Sequence, residues 1–90
     1  VSQIDDILAV KKKYEHLELD LTQDTYEGVV YRVRVDCVVR DMSEDNGREA
    51  GEAMIELLSV VAGKEAAESG TLHCFSENAN FIRMRLVAAP

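Results

Sequence analysis

Hydrophobic and polar positions alternate most clearly over Val29–Arg40. Tyr31, Val33, Val35, Cys37 and Val39 fall on one face at period two, and Arg32, Arg34, Asp36 and Arg40 fall on the other. This is the pattern of a long strand with one buried face, and its apolar content places it at the centre of a sheet. Leu17, Leu19 and Leu21 alternate with His16, Glu18, Asp20 and Thr22, which predicts a strand before it, joined through a loop over 22–28. One antiparallel register sets His16 opposite Asp36, Glu18 opposite Arg34 and Asp20 opposite Arg32. Cross-strand charge pairs favour it, although a two-residue slip keeps both faces intact.

The helical period appears twice. Ile4, Ile7 and Leu8 give a short stripe over 2–13, with Ser2 and Asp5 forming a cap-like pair and three lysines at the C-terminal end. Ala50, Ala53, Met54, Leu57, Leu58 and Val61 define the main helix, expected to start at Asp45 or Asn46 and to stop at Gly63. Ile55, Val60 and Ala62 widen its apolar arc beyond what one sheet can cover. Glu49, Glu52, Glu56 and Ser59 form a narrow polar stripe. Lys64–Ser69 reads as a separate turn or short helix. Two short strands follow, over 71–76 and 80–87, with Glu77-Asn78-Ala79 as the turn.

The order α-β-β-α-β-β predicts a single α+β domain over 1–90. It is a two-layer sandwich, a four-stranded antiparallel sheet in the order 1-2-4-3 with two helices on one face. In shape this resembles a permuted ferredoxin-like sheet, an analogy that carries no function. The alternative is a sheet completed by a second copy of the chain.

Composition narrows the function. Ninety residues with 47 % hydrophobic content and a net charge of −7 describe an acidic globular domain poorly suited to indiscriminate polyphosphate binding. There is no run of membrane-span length and no signal peptide pattern. Two cysteines, Cys37 and Cys74, are read as reduced, inward-facing core residues in a cytoplasmic setting.

Candidate chemistry is sparse. Asp41–Glu52 places oxygen side chains at several positions of a calcium loop. However, Asn46 stands where glycine is required, Arg48 stands where an apolar residue is usual, and a strand precedes it, so it reads as an acidic helix start. His73 and Cys74 are strand neighbours and point to opposite faces, which rules them out as joint ligands or as a nucleophile and its base. No cofactor, metal or catalytic constellation is expected, and the chain is read as non-enzymatic.

The distinctive feature is the sheet face away from the helices, expected to include His16, Glu18, Asp20, Val30, Arg32, Arg34, Asp36, Val38, Arg40, Thr71, His73, Phe75, Phe81, Arg83, Arg85 and Val87. It carries five of the six arginines and both phenylalanines but no lysine, with a net charge of +2 against −9 elsewhere. Arg32 and Arg34 are expected beside Arg83 and Arg85, and Phe75 opposite Phe81. Arginine and aromatic enrichment with little lysine is the composition of a protein interface. Arg32, Arg34, Arg40, His73, Phe75, Phe81, Arg83 and Arg85 are therefore the expected partner-binding residues. The partner is a protein, a second copy of this acidic chain being one candidate. Single-stranded RNA stacking on the same rings is the alternative.

Overall fold

The computed structural model describes residues 3–41, 43–78 and 80–90, except the side chains of 76–78. Its elements are α1 (Gln3–Lys13), a 3₁₀ turn (Glu15–Leu17), β1 (Asp20–Tyr26), β2 (Val29–Arg40), α2 (Glu44–Ala62), α3 (Lys64–Glu68), β3 (Thr71–Asn78) and β4 (Phe81–Ala88). The sheet is four-stranded and antiparallel, in the order β1-β2-β4-β3. The long strand β2 is central, as its pattern predicts. Val33, Val35, Cys37 and Val39 are buried on one face of it. They form one core with Val10 of α1, Tyr14 just after it, Ala50, Ala53, Met54, Leu57 and Leu58 of α2, and Met84 and Leu86 of β4. No helix among the described residues is long and apolar enough to cross a membrane.

The first hairpin differs from the expected one. His16 and Leu17 belong to the 3₁₀ turn, and Glu18 turns the chain in a left-handed conformation at φ 49°. Leu17 and Leu19 are buried as their alternation requires, but from the turn and the link after it and not from a strand. The segment expected as a loop over 22–28 is mostly strand. It closes in a two-residue turn, Glu27-Gly28, with φ of 49° and 80°. Positive φ at both central positions is the mirror-image turn whose twist suits a hairpin, and glycine carries the second without strain. The observed register is Asp20↔Asp36, Thr22↔Arg34 and Asp24↔Arg32, four residues from the expected one. A shift of four leaves both faces unchanged and every charge partner different.

A bulge breaks this hairpin. Asp24 pairs with Arg32 and Thr25 with Val30, so Tyr31 is the extra residue. Val30 packs against the core, whereas Tyr31 is 53 % exposed. Strict alternation predicts the reverse for both residues, because one inserted residue moves everything beyond it to the other face.

The main helix starts slightly earlier than expected. Ser43 is its N-cap and its Oγ accepts from the Asn46 backbone N–H, while the Asn46 side chain donates to the Asp41 carbonyl. The calcium-loop reading fails here, since 44–52 is helix and cannot wrap around an ion. Gly63 at φ 89° ends α2 as predicted, and α3 follows as the separate short helix. On one flank of α2, Glu56 takes the Tyr14 hydroxyl at 2.7 Å and Lys13 at 3.3 Å, Glu49 meets His16 at 2.6 Å, and the Gln3 side chain donates to the Val60 carbonyl at 3.2 Å. These contacts hold α1 against that flank of α2, on the side away from the exposed Leu72 and Cys74. The Glu56 carboxylate raises the Tyr14 pKa by accepting its proton in a hydrogen bond, and raises that of Lys13 by pairing with its ammonium.

The opposite flank is open. Ile55 is partly exposed, and Leu72 and Cys74 are exposed although they sit on the helix side of the sheet. The expectation that Cys74 is a core residue is therefore corrected: α2 lies over β2 and β4 and stops short of the edge strand β3. Ser2 and Ala79, assigned to a cap and to a turn by the sequence, lie outside the described residues.

Candidate functional site

The outer face of the sheet is built by the even-numbered residues of β1, those of β2 from Arg32 onward, and the odd-numbered residues of β3 and β4. Its rows follow from the register: Thr22, Arg34, Val87 and Thr71; Asp20, Asp36, Arg85 and His73; then Val38, Arg83 and Phe75; then Arg40 and Phe81. The strands bring together Arg32, Arg34, His73, Phe75 and Arg85, while Arg40, Phe81 and Arg83 lie towards the other end of the face. His16 and Glu18, expected on it, belong to the 3₁₀ turn and its cap.

The expected neighbours also change. Arg34 faces Val87, Asp36 faces Arg85 and Arg83 faces Val38, so the central arginines interleave with an acid and two valines. The arginines are thus not stacked side by side, which removes a repulsion the expected arrangement required, although Asp20 faces Asp36. Phe75 faces Arg83 and Phe81 faces Asn78, so the two phenylalanines are not a cross-strand pair.

Aspartates organise most of the arginines. Arg32 donates Nε to Asp24 Oδ2 at 2.6 Å, and Arg34 donates Nη2 to Asp24 Oδ1 at 3.1 Å. The Arg34 Nε is also 3.1 Å from Oδ2 but makes no hydrogen bond there, so it is a buried donor without an acceptor. Arg85 grips Asp36 with both prongs of its guanidinium, at 2.7 and 3.4 Å, and Arg40 reaches Glu18 at 3.3 Å. Hydrogen bonding from Arg32 holds the Asp24 carboxyl below its ordinary pKa, and the same bond raises Arg32; pairing with Asp36 raises Arg85. Among the described residues, Arg83 alone of these five arginines has no carboxylate within ion-pair distance, and it is exposed.

Rings cover the same cations. Arg85 lies 5.6 Å from the Phe75 ring centre, Arg40 5.3 Å from Phe81 and Arg32 5.8 Å from Tyr31. His73 and Phe75 stack at 6.4 Å and 23° between planes. Between them the face dips into a concavity of about 240 Å³ lined by Arg32, Arg34, His73, Phe75, Arg85 and Val87. A larger hollow of about 590 Å³ adjoins it, sharing Arg32 and Val87 and walled by Tyr31, Thr71, Ala66 and Ser69 among others.

Two members of this site were not found from the sequence. Asp24, which holds two arginines, falls in the segment read as a loop, and Tyr31 was assigned to the buried face. Glu27-Gly28 as a two-residue turn was the available signal for Asp24. Nothing local marks the bulge that exposes Tyr31.

The described residues contain no group of three or more side chains able to hold a metal ion. Cys37 is buried, and that burial pushes its thiol up to about 11, leaving it protonated at neutral pH. Cys74 is on the other side of the sheet from His73. The face presents planar cations beside aromatic rings. The chain matches no family model, no curated protein and no solved structure in the comparisons.

Proposed function

We propose that this chain is a small non-enzymatic interaction module that docks a protein partner on the outer face of its sheet, in a reducing compartment such as the cytoplasm. The fold that presents this face is read as a permuted ferredoxin-like sandwich. The observation that carries the functional reading is the state of the arginines. Four are paired with carboxylates, and three of those also lie over rings, so these guanidiniums are already oriented when a partner arrives. Arg83 remains exposed beside Phe75, which is 45 % exposed. A partner presenting an acidic group to Arg83 and an apolar group to Phe75 would bury a central anchor with a polar rim.

Single-stranded RNA is the second reading, favoured by the His73–Phe75 stack beside an arginine-lined concavity. Asp24 and Asp36 oppose it, because a phosphate backbone crossing this face would meet both carboxylates. The experiment is affinity capture on the immobilised chain followed by titration of the recovered partner against wild type, Phe81→Ala and Arg83→Glu. Weakened binding by folded variants supports the proposal; unchanged binding removes this face from consideration. A salt-sensitive shift of single-stranded RNA at low ionic strength would transfer support to the second reading.

A further inference from the structure

We infer that the free edge of β3 is the seam of a symmetric dimer, two copies pairing their β3 strands antiparallel about Cys74 to make one eight-stranded sheet. The seam shares His73 and Phe75 with the outer face but makes no use of Arg83, so the two readings are separable at that residue.

Edge strands of soluble proteins are normally blunted by charge, proline or distortion, because an unpaired row of N–H and C=O groups templates further pairing. The other edge, β1, carries Asp20 and Asp24, so two β1 strands brought together would confront aspartates. In β3, Thr71-Leu72-His73-Cys74-Phe75-Ser76 contains no carboxylate, lysine, arginine or proline, and the strand's one carboxylate, Glu77, stands near its end, where pairing centred on Cys74 sets it opposite Thr71. Its bulge falls beyond Ser76 and leaves 71–76 regular.

Both surfaces of this edge expose apolar groups. Leu72 is 49 % exposed on the helix side because α2 does not reach it, and Phe75 is 45 % exposed on the outer side. The strand is self-complementary. Antiparallel pairing centred on Cys74 sets His73 of each copy against Phe75 of the other, so the His73–Phe75 ring stack within one chain continues across the seam twice. The same register places each Leu72 opposite a serine and brings the two Cys74 Cα atoms to ~4.5–5.5 Å, within disulfide range. An extended peptide of unrelated sequence would satisfy the backbone but not this double ring match. The occupant is therefore a second copy.

The test uses the full chain under reductant, measured by sedimentation equilibrium at micromolar concentration. Wild type, Cys74→Ser and Arg83→Glu are expected to be dimers. Cys74→Lys, which sets two ammonium groups together at the centre of the seam, and Phe75→Lys are expected to be monomers with wild-type circular dichroism. Mild oxidation of the wild type is expected to trap the dimer through Cys74 alone, with Cys74→Ser giving no covalent species. A monomeric wild type overturns the inference, as does a dimer that survives Cys74→Lys or is lost in Arg83→Glu. Should both lysine variants unfold, the oxidation experiment decides without them: a sedimenting dimer that does not cross-link through Cys74 refutes this register.

Discussion

Arg83 and Arg85 lie two residues apart on the same strand and the same face, yet the structure gives them opposite roles. Arg85 holds Asp36 at 2.7 Å, and both side chains are about one-third exposed or less. Replacing Arg85 by glutamate exchanges that attraction for a repulsion between two carboxylates on neighbouring strands. Unit charges ~4 Å apart interact by ~1 kcal/mol in water and ~4 kcal/mol at an effective dielectric constant of ~20. With solvent screening and rotation of the side chains away from each other, a net cost of about 2 kcal/mol is expected. In a domain of this size that lowers Tm by roughly 10 °C. Arg83→Glu has no such partner to offend and should stay within about 0.5 kcal/mol of wild type. Urea and thermal melts followed by circular dichroism measure both. Adding Asp36→Lys to Arg85→Glu restores an opposite-charge pair, and the cycle should return a coupling of at least ~1 kcal/mol. The loss should shrink as salt is raised. Equal stability losses for Arg83→Glu and Arg85→Glu, or no loss for Arg85→Glu, would refute the division between a docking arginine and a structural one.

Other residues of the face give further tests. Phe75 buries ~200 Å² when fully covered; the 45 % that is exposed leaves about 90 Å², or ~2 kcal/mol, so Phe75→Ala should weaken partner binding by about 30-fold in a titration while keeping the circular dichroism of wild type. Asp24 has a depressed folded pKa, so its stabilisation is present above the ordinary carboxylate value of 3.8 and lost as pH falls through the folded value. Asp24→Asn should therefore lower the urea midpoint at neutral pH, with the gap to wild type closing in acid; a gap that widens on acidification would contradict the pairing. Thiol labelling at neutral pH should modify Cys74 readily and Cys37 only on unfolding, since burial holds the Cys37 thiol near 11; two fast thiols per chain would place Cys37 outside the core.

The faces of the sheet are legible in the sequence, but the neighbours across it are not. Period-two alternation sorts residues into two sets, and any even slip of one strand past another preserves both. Asp20 and Asp24 could thus exchange roles opposite Arg32 without moving a hydrophobic residue. What fixes the register is the turn. A two-residue loop at Glu27-Gly28 forces Tyr26 to pair with Val29, and the rest follows by counting back through one bulge. The bulge cannot be counted from composition, because Val30 and Tyr31 are both acceptable on a buried face and only three-dimensional fit decides between them.

Alternation also cannot distinguish a position beneath a helix from one beside it, which is why Leu72 and Cys74 resemble core residues. One helix with its side chains is ~10 Å across, and strands are spaced ~4.8 Å apart, so a single helix covers two strands. The α2 helix covers β2 and β4, and α1 must then lie on one side of it or the other. The choice is made by residues that look merely solvated in the sequence. Glu49 and Glu56 belong to the polar stripe of α2, and there they take His16, Lys13 and Tyr14. That draws α1 to their flank of α2 and leaves the flank of Ile55 without a second helix. The open β3 edge is thus a consequence of where two glutamates fall on one helix, and it follows from the polar pattern of α2 rather than from the pattern of β3 itself.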